Sequence, residues 1–255
     1  MASLARDRQS AEFENQPSHQ ALPAPCFDRI APLYRPMEYL SFGPMLERCR
    51  FHHLPTLHDS RRALVLGDGD GRFLAKLLTT NPGLQVEAVE ASPAMLHLLN
   101  RRIARLGAPH RITAICADAR SFLPTGTSYD LVATHFFLDC LTEPEADALI
   151  AQVRPRLAPG AQWLVSEFQI PEGGRLQKWL ARGIVSALYA AFRLLTGLAA
   201  RQLPPWAALL TRHGFRRKAS HSWLGGLLVS QLWELPQATT LRPQALPPVN
   251  GRRAF

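Results

Sequence analysis

The sequence predicts an α/β fold: a doubly wound sheet of seven strands, helices on both faces, and an antiparallel C-terminal edge pair. Three observations carry that expectation. Short apolar runs alternate with amphipathic, helix-compatible ones from residue 62 to residue 168, the pattern of parallel strands joined by crossover helices. The first such run, Ala63-Leu64-Val65-Leu66, feeds directly into Gly67-Asp68-Gly69-Asp70-Gly71, and a helical run opens at Arg72. The chain closes on two further strand-like runs, 215–221 and 226–235, with Gly225-Gly226 marking the turn.

The elements follow in order. Residues 1–25 are polar and proline-containing and read as a disordered leader. The domain proper is expected over 26–235, and residues 236–255, with prolines and arginines but no acid, read as a disordered tail. Helices are expected over Phe27–Leu40 and Pro44–His52, then a strand over Arg62–Leu66 whose following helix ends near Asn81-Pro82-Gly83. The second strand, Gln85–Val89, ends on Glu90. Ser92 then caps a helix with Pro93 at its first position. Met95, Leu96, Leu99, Ile103 and Leu106 give that helix an apolar face, and Gly107 stops it.

Arg111–Cys116 is the third strand, followed by Ala117-Asp118-Ala119, and Asp130–Thr134 is the fourth, running into His135-Phe136-Phe137. Thr142 and Glu145 form a capping-box pattern for the next helix. Gly160 precedes the fifth strand, Gln162–Phe168. Residues 171–213 read as a helical insertion, with a long helix inside Gly174–Ala200 and a short one over Leu203–His213. Trp179, Tyr189, Phe192 and Trp206 fall in it, and some of them are expected to wall an apolar pocket on the acceptor side.

Composition narrows the class. At 255 residues, 47% apolar and 19% charged, the chain is long enough for one substantial core. The net charge of +9 favours anionic partners in general, yet basic blocks interleaved with aromatics are missing, so no clear nucleic-acid site is expected. The four cysteines lack metal spacing, which fits free thiols in a reducing, cytoplasmic setting. No metal site is expected. The longest apolar tract, Gly183–Phe192, is too short to cross a bilayer and leaves peripheral membrane contact open.

Three features fall at the ends of successive strands, which converge on one crevice in such a sheet. Gly67, Gly69 and Gly71 allow close backbone approach to a ligand. Glu90, 23 residues after Gly67, is placed to accept hydrogen bonds from both hydroxyls of a ribose. Asp118 is placed to receive the amino group of an adenine. No P-loop lysine follows the glycines, so a ligand with a ribose and an adenine but no pyrophosphate fits best. His135 is the one histidine at an expected strand end beside the crevice; it is a candidate general base, with Asp139 four residues on to orient it.

These residues resemble the class I S-adenosylmethionine-dependent methyltransferases, whose fold is Rossmann-like, over roughly Phe27 to Leu235. The resemblance implies S-adenosylmethionine as cofactor. Gly67, Gly69 and Gly71 then pass beneath its methionine portion, Glu90 holds the ribose, and Asp118 with Ala119 meets the adenine. Ala91-Ser92-Pro93-Ala94-Met95 is similar to the family's D/E-x-S-x-x-M run, which brings Ala91 and Met95 to the site. Tyr129-Asp130-Leu131-Val132 resembles its fourth-strand motif, and Thr134 to Leu138, His135 among them, would line the boundary between donor and acceptor.

A narrower likeness joins Phe27-Asp28-Arg29-Ile30-Ala31-Pro32-Leu33-Tyr34, Met37-Glu38 and Leu40-Ser41-Phe42-Gly43 to the N-terminal region of ubiquinone/menaquinone biosynthesis C-methyltransferases. It makes Tyr34 a candidate lid residue over the cofactor. Two departures stand out. Val65 occupies the position where the family usually carries an acid, so Asp68 or Asp70 would have to supply charge near the methionine ammonium. Phe136-Phe137-Leu138-Asp139-Cys140 does not match the quinone-methylating subgroup.

The expected function is methyl transfer to a small, hydrophobic acceptor. Two rivals are a non-catalytic scaffold or sensor that binds the same cofactor and an NAD-type oxidoreductase. The second would want a glycine where Arg72 stands. Methylation of RNA or protein is a third, motivated only by the net charge.

Overall fold

A computed structural model of the chain describes Asp28, Ala31 and residues 34–237. The expected leader, most of the segment Phe27–Leu33 and the tail beyond residue 237 lie outside the described residues, as does the side chain of Tyr34. The elements are α1 (Tyr34–Phe42), α2 (Met45–Phe51), β1 (Arg62–Leu66), α3 (Arg72–Thr80), β2 (Gln85–Glu90), α4 (Pro93–Arg105) and β3 (Ile112–Cys116). They continue with β4 (Tyr129–His135), α5 (Glu143–Val153), β5 (Leu157–Phe168), α6 (Arg175–Thr196), α7 (Trp206–Arg212), β6 (Arg216–Trp223) and β7 (Leu228–Glu234).

The seven strands form one sheet in the order β3-β2-β1-β4-β5-β7-β6. β1 to β5 are mutually parallel, and β7 runs antiparallel between β5 and β6. The expected antiparallel edge pair is therefore present, with β6 outermost. Strand order reverses between β1 and β4, which opens a crevice at their carboxyl ends.

Sequence accounts for most of this. β1 and β4 read as continuous apolar runs because helices cover both faces of a parallel sheet. Leu64, Leu66, Val132 and Trp163 pack on one face with α5 and α7. Ala63, Val65, Leu131 and Ala133 pack on the other with α3 and α4. A third cluster joins α2 to α6 through Leu46, Cys49, Ala181, Val185 and Tyr189. Ser92 caps α4 by accepting the Met95 N–H at 3.1 Å, and the Asp28 carboxylate accepts from Ser92 Oγ and from the Ala94 N–H. The capping box at Thr142 and Glu145 forms as the spacing predicts.

Most boundaries fall within two residues of expectation, and two differ by more. β5 starts at Leu157, five residues early, and its register with β4 shifts between Tyr129 and Leu131. Gly160, at φ +80°, absorbs that bulge, which the sequence reading took for a strand start. α7 starts at Trp206 rather than Leu203, because Pro204 and Pro205 keep the residues before them out of helical geometry.

Candidate functional site

The crevice holds a cavity of about 210 Å³, floored by the β1–α3 loop and roofed by α1 and α6. Gly67, Gly69 and Gly71 have φ of +67°, +61° and +78°, a region that side chains disfavour. They do different work. A Cβ on Gly67 would stand 2.3 Å from the Phe137 ring, and one on Gly71 would stand 2.8 Å from Leu99. Gly69 has only Met95 Sδ, at 3.9 Å, near its absent side chain. Gly67 and Gly69 line the cavity; Gly71 instead lets α4 pack against the loop.

Glu90, at the end of β2, lines the cavity and is only 7% exposed. Its carboxylate accepts the N–H groups of Gly69 and Ser92, each at 3.0 Å. Burial pushes its pKa up, and those backbone donors oppose the shift. A carboxylate offers about four lone-pair positions, so acceptor capacity is left for a ligand hydroxyl. Ala91, Met95, Asp118 and Ala119 line the same end. Arg120, which the sequence reading passed over, lines it too and clamps Asp118 through Nε and Nη2 while its Nη1 reaches Glu145 at 3.0 Å. Burial raises the Asp118 pKa, and the Arg120 hydrogen bonds outweigh it, so the carboxyl sits below its ordinary value.

The other acids of the loop turn elsewhere. Asp68 is not among the cavity-lining residues. Its Oδ2 accepts the Leu74 N–H at 2.9 Å, satisfying a free donor in the first turn of α3, and burial pushes its pKa up to about 7. Asp70 pairs with Arg72 at 2.9 Å and Arg102 at 2.8 Å. The acid that reaches the cavity from this side is Glu38 on α1, paired with Arg50 and Arg72. Burial raises its pKa, but the two guanidiniums prevail and hold it below the ordinary value. The Glu38–Arg72 pair also ties α1 to the start of α3.

At the end of β4 the structure separates two residues that the sequence paired. His135 is 4% exposed, lies against the Phe73 ring at 4.1 Å, and does not line the cavity. Neither ring nitrogen has a hydrogen-bond partner, and burial depresses its pKa well below the ordinary value. No hydrogen bond joins it to Asp139. The physical reason is the turn that follows: Phe136, at φ +51°, swings residues 137–140 away from the strand direction.

Glu167 holds that turn in place. Fully buried on β5, it accepts the Phe137 and Leu138 N–H groups at 3.0 and 2.7 Å. Asp139 is thereby delivered to the cavity wall. Burial raises both carboxyls above the ordinary range, and the Asp139 charge raises Glu167 further. Nothing in the sequence marked Glu167, since an acid at a strand end reads as solvated.

Beyond Asp139 the described lining is largely apolar: Phe42, Leu46, Phe168, Val185, Leu188 and Phe192 among others. Tyr189 belongs to it, its hydroxyl donating to the Asp139 carbonyl at 2.6 Å. Of the aromatics expected to wall a pocket, Tyr189 and Phe192 do so, Trp206 is buried in the core beside Trp233, and Trp179 is 70% exposed.

A glycine loop, a buried acid after the second strand and an acid after the third, gathered around one cavity at the switch point, define an adenosyl-cofactor-binding α/β domain. Residues 63–160 match the family described as "Methyltransferase domain". Over that stretch the chain is similar to methyltransferase domains, and the likeness implies S-adenosylmethionine as cofactor.

No curated protein sequence matches the chain significantly. Among solved structures it is similar to the mitomycin 7-O-methyltransferase MmcR, with TM-score 0.59 and 17% identity over 84% of this chain and 61% of that one. It is also similar to an O-methyltransferase family protein from Burkholderia thailandensis, with TM-score 0.58 and 19% identity over 83% of this chain and 59% of that one. The [4+2]-cyclase SpnF aligns with TM-score 0.59 and 14% identity, over 85% of this chain and 98% of that one. At such identities the likeness establishes the fold. The chain spans about three fifths of the length of the first two. The narrower resemblance to quinone C-methyltransferases rests on the residues between Phe27 and Gly43 alone.

Proposed function

We propose that this chain moves a methyl group from S-adenosylmethionine to a small, hydrophobic acceptor that carries an O–H or N–H group. The observation behind this reading is the continuity of one cavity, polar and glycine-floored at the Glu90 end and apolar at the α6 end, with Asp139 at the junction. The residues fit the cofactor: Gly69 leaves open room where a Cβ would stand, Gly67 lines the cavity with bare backbone, and buried Glu90 keeps acceptor capacity facing the cavity. Glu90 would hold the ribose hydroxyls, Asp118 and Arg120 the adenine edge, and Glu38 the ammonium that Val65 leaves without an acid.

When bound, S-adenosylmethionine supplies an activated methyl, so orientation and exclusion of water are what remain for the protein. Phe42, Phe168, Leu188 and Phe192 exclude water from the acceptor end. Asp139, raised in pKa by burial, accepts the proton that the acceptor loses, and Glu167 keeps it in position by fixing the turn. His135 takes no part in this scheme. The three described cysteines are unpaired, which suits a cytoplasmic setting.

Calorimetric titration with S-adenosylmethionine, S-adenosylhomocysteine and NADH, followed by a panel of phenols and amines, tests the reading. Saturable binding of both adenosyl ligands, none of NADH, and cofactor consumption with at least one acceptor are expected. Binding without any consumption would favour the scaffold or sensor reading, and no adenosyl binding by a folded sample would sink both. The SpnF likeness gives that control its point, since one fold hosts different chemistries.

A further inference from the structure

α6 is the outer wall of the cavity, and its two faces are both apolar. Inward, Val185, Leu188, Tyr189 and Phe192 line the cavity. Outward, Leu176, Trp179, Leu180, Ile184 and Leu194 are 69, 70, 50, 43 and 87% exposed. Large apolar side chains exposed in such a row mark a surface that meets a partner or a membrane. The helix is 22 residues long, or about 33 Å at 1.5 Å per residue, with large apolar side chains exposed near both ends and in the middle.

Charge says what covers it. At 3.6 residues per turn, Arg175, Arg182 and Arg193 fall on one flank of the helix, within roughly 20° of one another. None of the three makes an ion pair among the described residues. Between Glu172 and Glu234 the sequence has nine arginines and lysines and no acid at all. A long stretch without a carboxylate repels no anionic surface. An apolar stripe with a tryptophan, edged by arginines, is the arrangement of helices that lie in a membrane interface. No helix of the described residues is long and apolar enough to cross a membrane, so the helix lies on the bilayer rather than through it.

We propose that α6 docks side-on to an anionic lipid bilayer, with Leu176, Trp179, Leu180 and Leu194 in the headgroup–acyl boundary and the arginine row on lipid phosphates. Docked so, one helix separates the lipid from the apolar end of the cavity. The proposal stands on the outer face of α6 and does not depend on the reaction.

Flotation of the full chain with vesicles of phosphatidylcholine alone, and of phosphatidylcholine with equimolar phosphatidylglycerol, tests it. Expected are binding to the anionic vesicles only, weakening with salt, and a blue shift of tryptophan emission. The variant Trp179→Ser/Leu180→Ser/Leu194→Ser changes exposed positions outside the cavity lining, so its fold, checked by circular dichroism, should persist. Its partitioning is expected to fall by roughly tenfold or more. Arg175→Gln/Arg182→Gln/Arg193→Gln should lower it roughly 100-fold. Failure of the folded wild type to bind either vesicle would overturn the proposal, as would binding that survives both variants. A stable dimer in solution that the serine variant dissociates would also overturn it, since a second copy would then be the occupant.

Discussion

Replacing Glu90 by glutamine isolates what its charge does at almost constant shape. Its two oxygens accept the Gly69 and Ser92 N–H groups, both at 3.0 Å and both in a buried setting. Glutamine keeps one acceptor oxygen and turns an NH2 toward the other donor. Leaving one such N–H unpaired costs about 1–3 kcal/mol. Part of this is offset, because burial already disfavours the ionised carboxylate and glutamine carries no charge to desolvate. A net loss near the low end, about 1 kcal/mol, is expected in thermal or urea unfolding without ligand.

Cofactor binding should suffer more. Hydrogen bonds to a charged acceptor contribute roughly 1 kcal/mol more than neutral ones. With two ribose hydroxyls the loss is about 2 kcal/mol, or roughly 30-fold in Kd. Calorimetry with S-adenosylhomocysteine, beside melting curves at the same pH, separates the two effects. A folded Glu90→Gln protein that binds the ligand as tightly as wild type would refute the ribose role.

Four further outcomes follow from the geometry. Asp68, with a pKa of about 7 when folded against an ordinary 3.8, binds more protons native than unfolded between those values; stability therefore falls as pH rises through that window. Asp68→Asn keeps an acceptor for the Leu74 N–H and should flatten that slope in melting curves taken from pH 4 to 8, with cofactor affinity unchanged. Asp139→Asn should leave S-adenosylhomocysteine binding intact and lower turnover roughly 100-fold. The wild-type rise of activity with pH, whose midpoint burial places above the ordinary carboxylate range, should vanish in that variant. Gly67→Ala forces a Cβ into the Phe137 ring at φ +67°, whereas Gly69→Ala meets strain alone at φ +61°, so the first should melt lower than the second. Glu38→Gln should weaken cofactor binding severalfold and lower the melting temperature, since it removes the charge that faces Arg50 and Arg72; unchanged affinity would remove Glu38 from the ammonium site.

The parts of this site that were legible in the sequence are the parts that depend on short-range geometry. Glycines 67, 69 and 71, the β2 terminus at Glu90 and the cap at Ser92 each follow from two or three neighbouring residues, and the cavity gathers all but Gly71 around it or beside it. What could not be read depends on contacts between distant segments. Arg120 looks like any loop arginine until Asp118 and Glu145 flank it. Glu167 acquires its task only because β4 and β5 pair as His135↔Ser166, which sets it beneath the turn it fastens. The His135–Asp139 pairing failed for a related reason: spacing along the chain says nothing about a left-handed residue between them, and Phe136 takes that conformation without being glycine.

In the function proposed above, tertiary structure reassigns the role of the acid missing from β1. Val65 pairs in register with Ala88 and Ala133 and is 1% exposed, inside the core shared with α3 and α4. A carboxylate there would be desolvated, and a valine removes that cost. In the proposed function Glu38 takes that role from the opposite direction, arriving on α1 with Arg50 and Arg72 to hold it ionised. Strand positions are fixed by the sheet, whereas α1 is tied down by the Glu38–Arg72 pair at the start of α3 and by Phe42 packing on Phe168. In the proposed role Glu38 both faces the cofactor ammonium and ties α1 to α3, so Glu38→Gln should weaken binding and loosen α1 together.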